Sequence, residues 1–218
     1  VVELLGLAPE TIAVTPLGVD ERFQPATPTA VAGLRERHGL RRPFVLTVCT
    51  LEPRKNLPRL LEAFARLRHD TEHELVIVGP EGWLTGELRE TLERLKLRDR
   101  VRLTGFVPDD ELPLWYNAAD LMAFPSLYEG FGLPVLEAMA CGTPVLTSDV
   151  SSLPEVAGEA AAYVDPRSVE SIADGIGAIL RDRAARERMS RIGLARARGF
   201  TWRRTAELTA NVYREAVS

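Results

Sequence analysis

The stretch Phe124-Pro125-Ser126-Leu127-Tyr128-Glu129-Gly130-Phe131-Gly132-Leu133-Pro134-Val135-Leu136-Glu137-Ala138-Met139-Ala140-Cys141-Gly142-Thr143-Pro144 decides how the chain folds. It reads as a strand, a glycine loop, a short helix, a glycine stop and the start of a new strand, in that order. Pro134 suits the first turn of the helix, where its missing N–H is no loss, and Gly142 suits the left-handed residue that ends one. The helix therefore starts near Leu133 and turns free backbone N–H groups toward the loop, where glycines let a ligand approach the main chain. Glu129 lies in the loop and Glu137 about one turn into the helix, so both carboxylates can face one cleft without touching. Such acceptors suit vicinal hydroxyls. An isolated pair of glutamates is more often a cap and a solvated helix face, so the pair needs support from elsewhere in the chain.

Outward from this unit, short apolar or β-branched runs recur at Phe44–Cys49, Leu75–Val78, Val101–Thr104, Leu121–Phe124, Pro144–Thr147 and Ala161–Val164. They lack strict alternation, as strands covered on both faces should. Helical patterns separate them, clearest in the stripe Leu57, Leu60, Leu61, Phe64 and Leu67, with Asn56 as N-cap and Pro58 in the first turn. Strand and helix in alternation predict an α/β fold with a Rossmann-like, doubly wound parallel sheet. After Asp165 the strands stop, and C-terminal helices at about Ser168–Leu180, Asp182–Arg198 and Thr201–Val217 finish the chain. Residues 1–24 read as a linker, with one more short strand within Ile12–Phe23 and a turn at Gly18. Residues 25–200 form the Rossmann-like domain, and 201–218 the last helix. The start Val1-Val2-Glu3-Leu4 lacks a methionine and has a helical pattern, as expected of a fragment of something longer.

Ligands of open α/β sheets bind beyond the carboxyl ends of the strands. The first strand runs into Leu51-Glu52-Pro53-Arg54-Lys55-Asn56, which places Arg54 and Lys55 where a diphosphate would sit beside a helix N-terminus. Two charges before a helix are, taken alone, more often merely solvated. The turn has no Gly-x-Gly-x-x-Gly fingerprint, which argues against a nicotinamide or flavin dinucleotide.

Composition narrows the function classes. The 218 residues are enough for one well-filled α/β domain but not for two, and 27 basic against 31 acidic side chains give a net charge of −4, with no global field to hold nucleic acid. Cys49 and Cys141 match no zinc or redox spacing and read as small buried side chains. No apolar run approaches the roughly 20 residues of a membrane span. Between Arg181 and Arg204 stand nine arginines and two acids, Asp182 and Glu187. This run favours a solvated helix face over contact with an anionic lipid surface. His38, His69 and His73 receive no role.

The run Glu129-Gly130-Phe131-Gly132-Leu133-Pro134-Val135-Leu136-Glu137 resembles the paired-glutamate motif of glycosyltransferase family 4 (group 1), retaining enzymes of the two-domain GT-B kind. Ala138 to Val145 continue the match, and Glu52-Pro53-Arg54-Lys55-Asn56, Gly105-Phe106-Val107 and Ala118-Ala119-Asp120 resemble the C-terminal, donor-binding domain of that family in order and separation. Several motifs in register are far more specific than either glutamate. The resemblance implies that Glu129 contacts the transferred sugar and Glu137 the ribose. Gly130, Phe131, Gly132 and Leu133 would meet sugar and phosphates through their backbone, Gly105, Phe106 and Val107 would line the base pocket, and Arg54 and Lys55 would carry the diphosphate. Many relatives have glycine and arginine where this chain has Cys49-Thr50, so the phosphate load falls on Arg54 and Lys55. The implied donor is GDP- or UDP-linked, with GDP-mannose ahead of UDP-hexoses. With no Asp-x-Asp motif, neither a metal nor a further cofactor is expected. The acceptor, a saccharide or a lipid-linked one, would be bound by an N-terminal domain to which the last helix, with Trp202, Leu208, Val212 and Tyr213, crosses back. That leaves part of its apolar face uncovered here. The expected location is cytoplasmic, with peripheral contact to the inner membrane face as the alternative. Rival readings are another GT-B enzyme, such as a nucleotide-sugar epimerase or a phosphorylase, and a non-catalytic sugar- or nucleotide-binding module.

Overall fold

In the computed structural model, which describes residues 5–80 and 85–217, six short strands form one parallel sheet. They are β1 (Phe44–Val48), β2 (Glu74–Val78), β3 (Val101–Gly105), β4 (Leu121–Phe124), β5 (Val145–Ser148) and β6 (Ala161–Val164), in the spatial order β3-β2-β1-β4-β5-β6. Val45 stands opposite Leu75 on one side and Leu121 on the other, which fixes the register at the centre. The helical start expected at Val1-Val2-Glu3-Leu4 lies outside the described residues.

The helices are α1 (Pro28–Arg37), α2 (Leu57–Arg66), α3 (Thr85–Arg94), α4 (Leu112–Ala118), α5 (Leu133–Ala140), α6 (Leu153–Ala157), α7 (Val169–Arg181), α8 (Arg183–Ala197) and α9 (Trp202–Ala216). Helix α2 packs on α3 and α7, whereas α5 packs on α4, α6 and α8, so helices cover both faces of the sheet. That coverage explains the missing alternation: β4 and β5 are buried throughout, while the edge strands β3 and β6 are half-buried. The predicted stripe of α2 is wholly buried at Leu57, Leu60, Leu61 and Phe64. Polar side chains start the late helices. Ser168 accepts from Ser171 N–H before α7, Asp182 from Ala185 N–H before α8, and Thr201 from Arg204 N–H before α9.

Two local expectations are corrected. No strand forms within Ile12–Phe23; the segment makes a single parallel bridge, Val19 to Thr201, with Val19 N–H donating to Phe200 O at 3.0 Å. Its neighbour is the turn between α8 and α9 rather than a sheet edge, so a ladder has nothing to extend along. Gly18 is required there, because a Cβ would lie 2.1 Å from Trp202 N. Asn56 precedes α2 but does not cap it with its side chain. Its backbone is left-handed (φ 60°), and its Nδ2 donates to Pro125 O at 2.9 Å and Pro166 O at 2.6 Å. The two buried carbonyls fix the amide through its N–H groups, and its Oδ1, the atom a cap would use, accepts from Arg59 Nη1 at 2.9 Å.

Candidate functional site

The sheet order reverses between β1 and β4, and the chain leaving the carboxyl ends of these two strands builds the site. Beyond β1, a short 3₁₀ turn at Pro53–Lys55 brings Arg54 and Lys55 up to the loop beyond β4. Leu127 N–H donates to Arg54 O at 2.8 Å and ties the two loops together. Lys55 Nζ lies 2.6 Å from Glu129 Oε1, with both side chains 7% exposed, and it also sits over the Phe124 ring at 4.8 Å. Arg54 donates to Glu129 Oε2 at 2.6 Å and, through Nε, to Glu52 Oε2 at 2.9 Å, while 43% of its side chain stays exposed. Glu129 is thus gripped by both cations, and the site balances two positive groups against two carboxylates.

The glycine loop is held from the side by residues that motif reasoning missed. Glu129 N–H donates to Ser151 Oγ at 3.0 Å, and Ser152 Oγ donates to Glu129 O at 3.0 Å and Phe131 O at 2.9 Å. Ser151 itself is left-handed (φ 54°), strain a non-glycine residue keeps only where its surroundings enforce it. The signal available in the sequence was position: both serines follow β5, at the same end of the sheet. Gly132 (φ 104°) leads into α5 without a side-chain cap, so the helix presents its N-terminus to the loop. The Phe131 ring meets the edge of Phe200 at 6.1 Å, joining the loop to the α8–α9 turn.

Glu137, one turn into α5, accepts a hydrogen bond from Tyr116 Oη at 2.7 Å. Burial raises its pKa, and the phenol and Arg22 oppose that rise. Arg22 is fastened to Asp20 and to the Asp109 carbonyl. Between β1 and the loop after β3 lies a cavity of about 290 Å³, lined among others by Cys49, Thr50, Arg54, Lys55, Phe106 and Val107. Phe106 is 70% exposed, a ring free to stack, and Val107 is buried. Glu129 reaches this cavity only through Arg54 and Lys55, while Gly105, Gly130, Phe131, Gly132, Leu133 and Glu137 stand outside its walls and Pro134 lies on them. Burial pushes the Cys49 thiol up to about 12. A larger cavity of about 580 Å³, between the linker and the α8–α9 turn, holds none of the predicted site residues.

The nine arginines divide. Arg186 donates to Ile179 O and Leu180 O, and Arg196 to Val156 O and Glu155 O, so these two fasten helix ends. Among the described residues no helix is long and apolar enough to cross a membrane.

Fold and site define a Rossmann-like α/β domain with a charged cleft where the strand order reverses. Residues 34–196 match the family described as Glycosyl transferases group 1, and the chain belongs to it. It is 37% identical to O-antigen chain mannosyltransferase B of Escherichia coli, over 98% of this chain and 57% of that protein. It is 34% identical to an MMP alpha-(1->4)-mannosyltransferase of Mycolicibacterium hassiacum, over 97% of this chain and 50% of that one. Among solved structures it superposes on a sucrose-phosphate synthase of Thermosynechococcus elongatus with a TM-score of 0.83 at 30% identity, covering 94% of this chain and 53% of the other. The chain spans about half the length of these relatives.

Proposed function

We propose that this chain is the donor-binding half of a retaining sugar transferase, and that it holds a nucleoside-diphosphate sugar across the carboxyl ends of β1 and β4. The observation that carries the reading is the convergence of Arg54, Lys55 and Glu129 at the reversal of strand order, beside a helix that starts at a glycine loop. The diphosphate would draw Arg54 and Lys55 away from Glu129 and free that carboxylate for hydroxyls of the transferred sugar. The two cations would then face the leaving phosphate as its charge grows, which lowers the barrier to an oxocarbenium-like state. The base would lie against Phe106 and Val107, at the end of the strand that closes on Gly105, and the ribose diol would meet Glu137. Backbone groups of Gly130, Phe131, Gly132 and Leu133 would complete the sugar and phosphate contacts. Two mannosyltransferases among the relatives favour a mannosyl donor, GDP-mannose ahead of a UDP-hexose.

The remaining wall of the cleft and the acceptor site, for a saccharide or a lipid-linked acceptor, would come from an N-terminal half. The chain alone would bind donor and transfer nothing. Saturation-transfer NMR tests the placement: GDP-mannose should receive saturation at both ribose and mannose protons. Glu129→Ala should weaken the mannose signals first and Glu137→Ala the ribose signals first. A folded chain that transfers saturation to neither ring overturns the reading.

A further inference from the structure

Glu137 offers two carboxylate oxygens, and the structure uses them unequally. Tyr116 Oη donates to Oε2 at 2.7 Å, and among the described residues no hydrogen bond reaches Oε1. Tyr116 has little freedom to do anything else. Its side chain is fully buried on α4, its carbonyl accepts from Thr143 Oγ1 at 2.8 Å, and its ring stands edge-on to Phe23 at 5.9 Å. The phenol is thus anchored to the core and to the linker, while the carboxylate it holds lies near Arg22 and Asp20 of the linker and Asp109 of the loop after β3.

We propose that Tyr116 is a positioning residue for nucleoside recognition: its phenol holds one oxygen of Glu137 so that the other stays turned to the ribose diol. This rests on the donor-site reading above. A glutamate side chain has three rotatable bonds, and one that must accept from a diol gains from being oriented before the ligand arrives. A hydrogen bond to a charged group is the stronger kind, and this one is drawn from a donor with no competing water. Burial keeps the Tyr116 phenol protonated, so it remains a donor across the working pH range. The charged and titratable groups around Glu137 come from four elements: Tyr116 on α4, Arg22 and Asp20 in the linker, Asp109 in the loop after β3, and Cys141 at the end of α5 itself. Tyr116 is the one of these that donates directly to the carboxylate.

Isothermal calorimetry on the 218-residue chain tests this with Tyr116→Phe, Glu137→Ala and the double variant, titrated with GDP, UDP and inorganic pyrophosphate. Tyr116→Phe keeps the ring and its packing. It should weaken the preferred nucleotide by about tenfold, the size of one hydrogen bond to a charged group, and leave pyrophosphate affinity within about twofold. In the Glu137→Ala background the same change should add nothing. Without the phenol, the Glu137 carboxyl titrates higher, so nucleotide affinity in Tyr116→Phe should begin to fall at a higher pH than in the wild type as the solution is acidified. Equal weakening of nucleotide and pyrophosphate, wild-type affinity in Tyr116→Phe, or additive losses in the double variant would each overturn the proposal. If Glu137→Ala itself leaves the nucleotide affinity unchanged, or the folded wild-type chain binds neither nucleotide, the donor-site reading fails first and this inference falls with it.

Discussion

Lys55 and Arg54 are neighbours in sequence, grip the same carboxylate and should respond to substitution in opposite ways. Lys55 and Glu129 are both buried, so Lys55→Ala strips a buried charge of its buried partner and should cost about 3–5 kcal/mol in a denaturant titration. Arg54 is far more exposed, so Arg54→Ala should stay within about 1 kcal/mol of wild-type stability while nucleotide affinity drops tenfold or more. Glu137 carries a cost of a different kind. Its pKa is raised in the folded chain, so its contribution to stability is present at low pH and lost as pH rises through the folded value. Glu137→Gln should therefore raise the melting temperature at neutral pH and leave it unchanged near pH 4, while ribose-dependent binding is lost. The thiols are predictable too. Burial pushes both Cys49 and Cys141 up to about 12, so iodoacetamide at pH 8 should label neither in the folded chain and both in guanidinium, as read by mass spectrometry. At this scale the sequence showed which side chains carry charge toward the cleft, because the glycine loop and the Pro-Arg-Lys turn fix their backbone positions. It did not show that Glu129 pairs with both cations, nor that Ser151, Ser152 and Tyr116 hold the site. Those contacts join residues 21 to 75 positions apart, and only the packed fold sets which polar groups meet.

At the scale of elements, periodicity located every strand of the sheet to within a residue or two, because central strands buried on both faces must be runs of apolar side chains. Asn56 takes the N-cap position without a side-chain cap, and the strand within Ile12–Phe23 does not form, for one shared reason. Both are segments whose conformation is set by a distant partner, the carbonyls of Pro125 and Pro166 in one case and the α8–α9 turn in the other. The Val19–Thr201 bridge brings the linker and the start of the last helix together, and Phe200 at that turn touches Phe131 of the glycine loop. Gly18→Ala would drive a Cβ into Trp202 backbone, so the bridge must open. Hydrogen exchange should then quicken at the Val19 amide while the central strands keep their protection.

At the scale of the whole molecule, the parallel order β3-β2-β1-β4-β5-β6 gathers the loops after β1, β3, β4 and β5 at one edge, and the groups proposed to meet the donor come from those loops, from the end of β3 and from α5. Helix α9 has no buried residue, and Trp202 and Tyr213 are 49% and 70% exposed, so part of its apolar face is uncovered. The central claim is that this half alone recognises the donor nucleotide, and equilibrium dialysis of the folded chain against radiolabelled GDP, UDP, GDP-mannose and UDP-glucose tests it most directly. The account predicts saturable binding of one nucleotide in preference to the other, weakened at least tenfold in both Arg54→Ala and Glu137→Ala. A folded chain that binds none of the four, or binds them equally well in both variants, would contradict it.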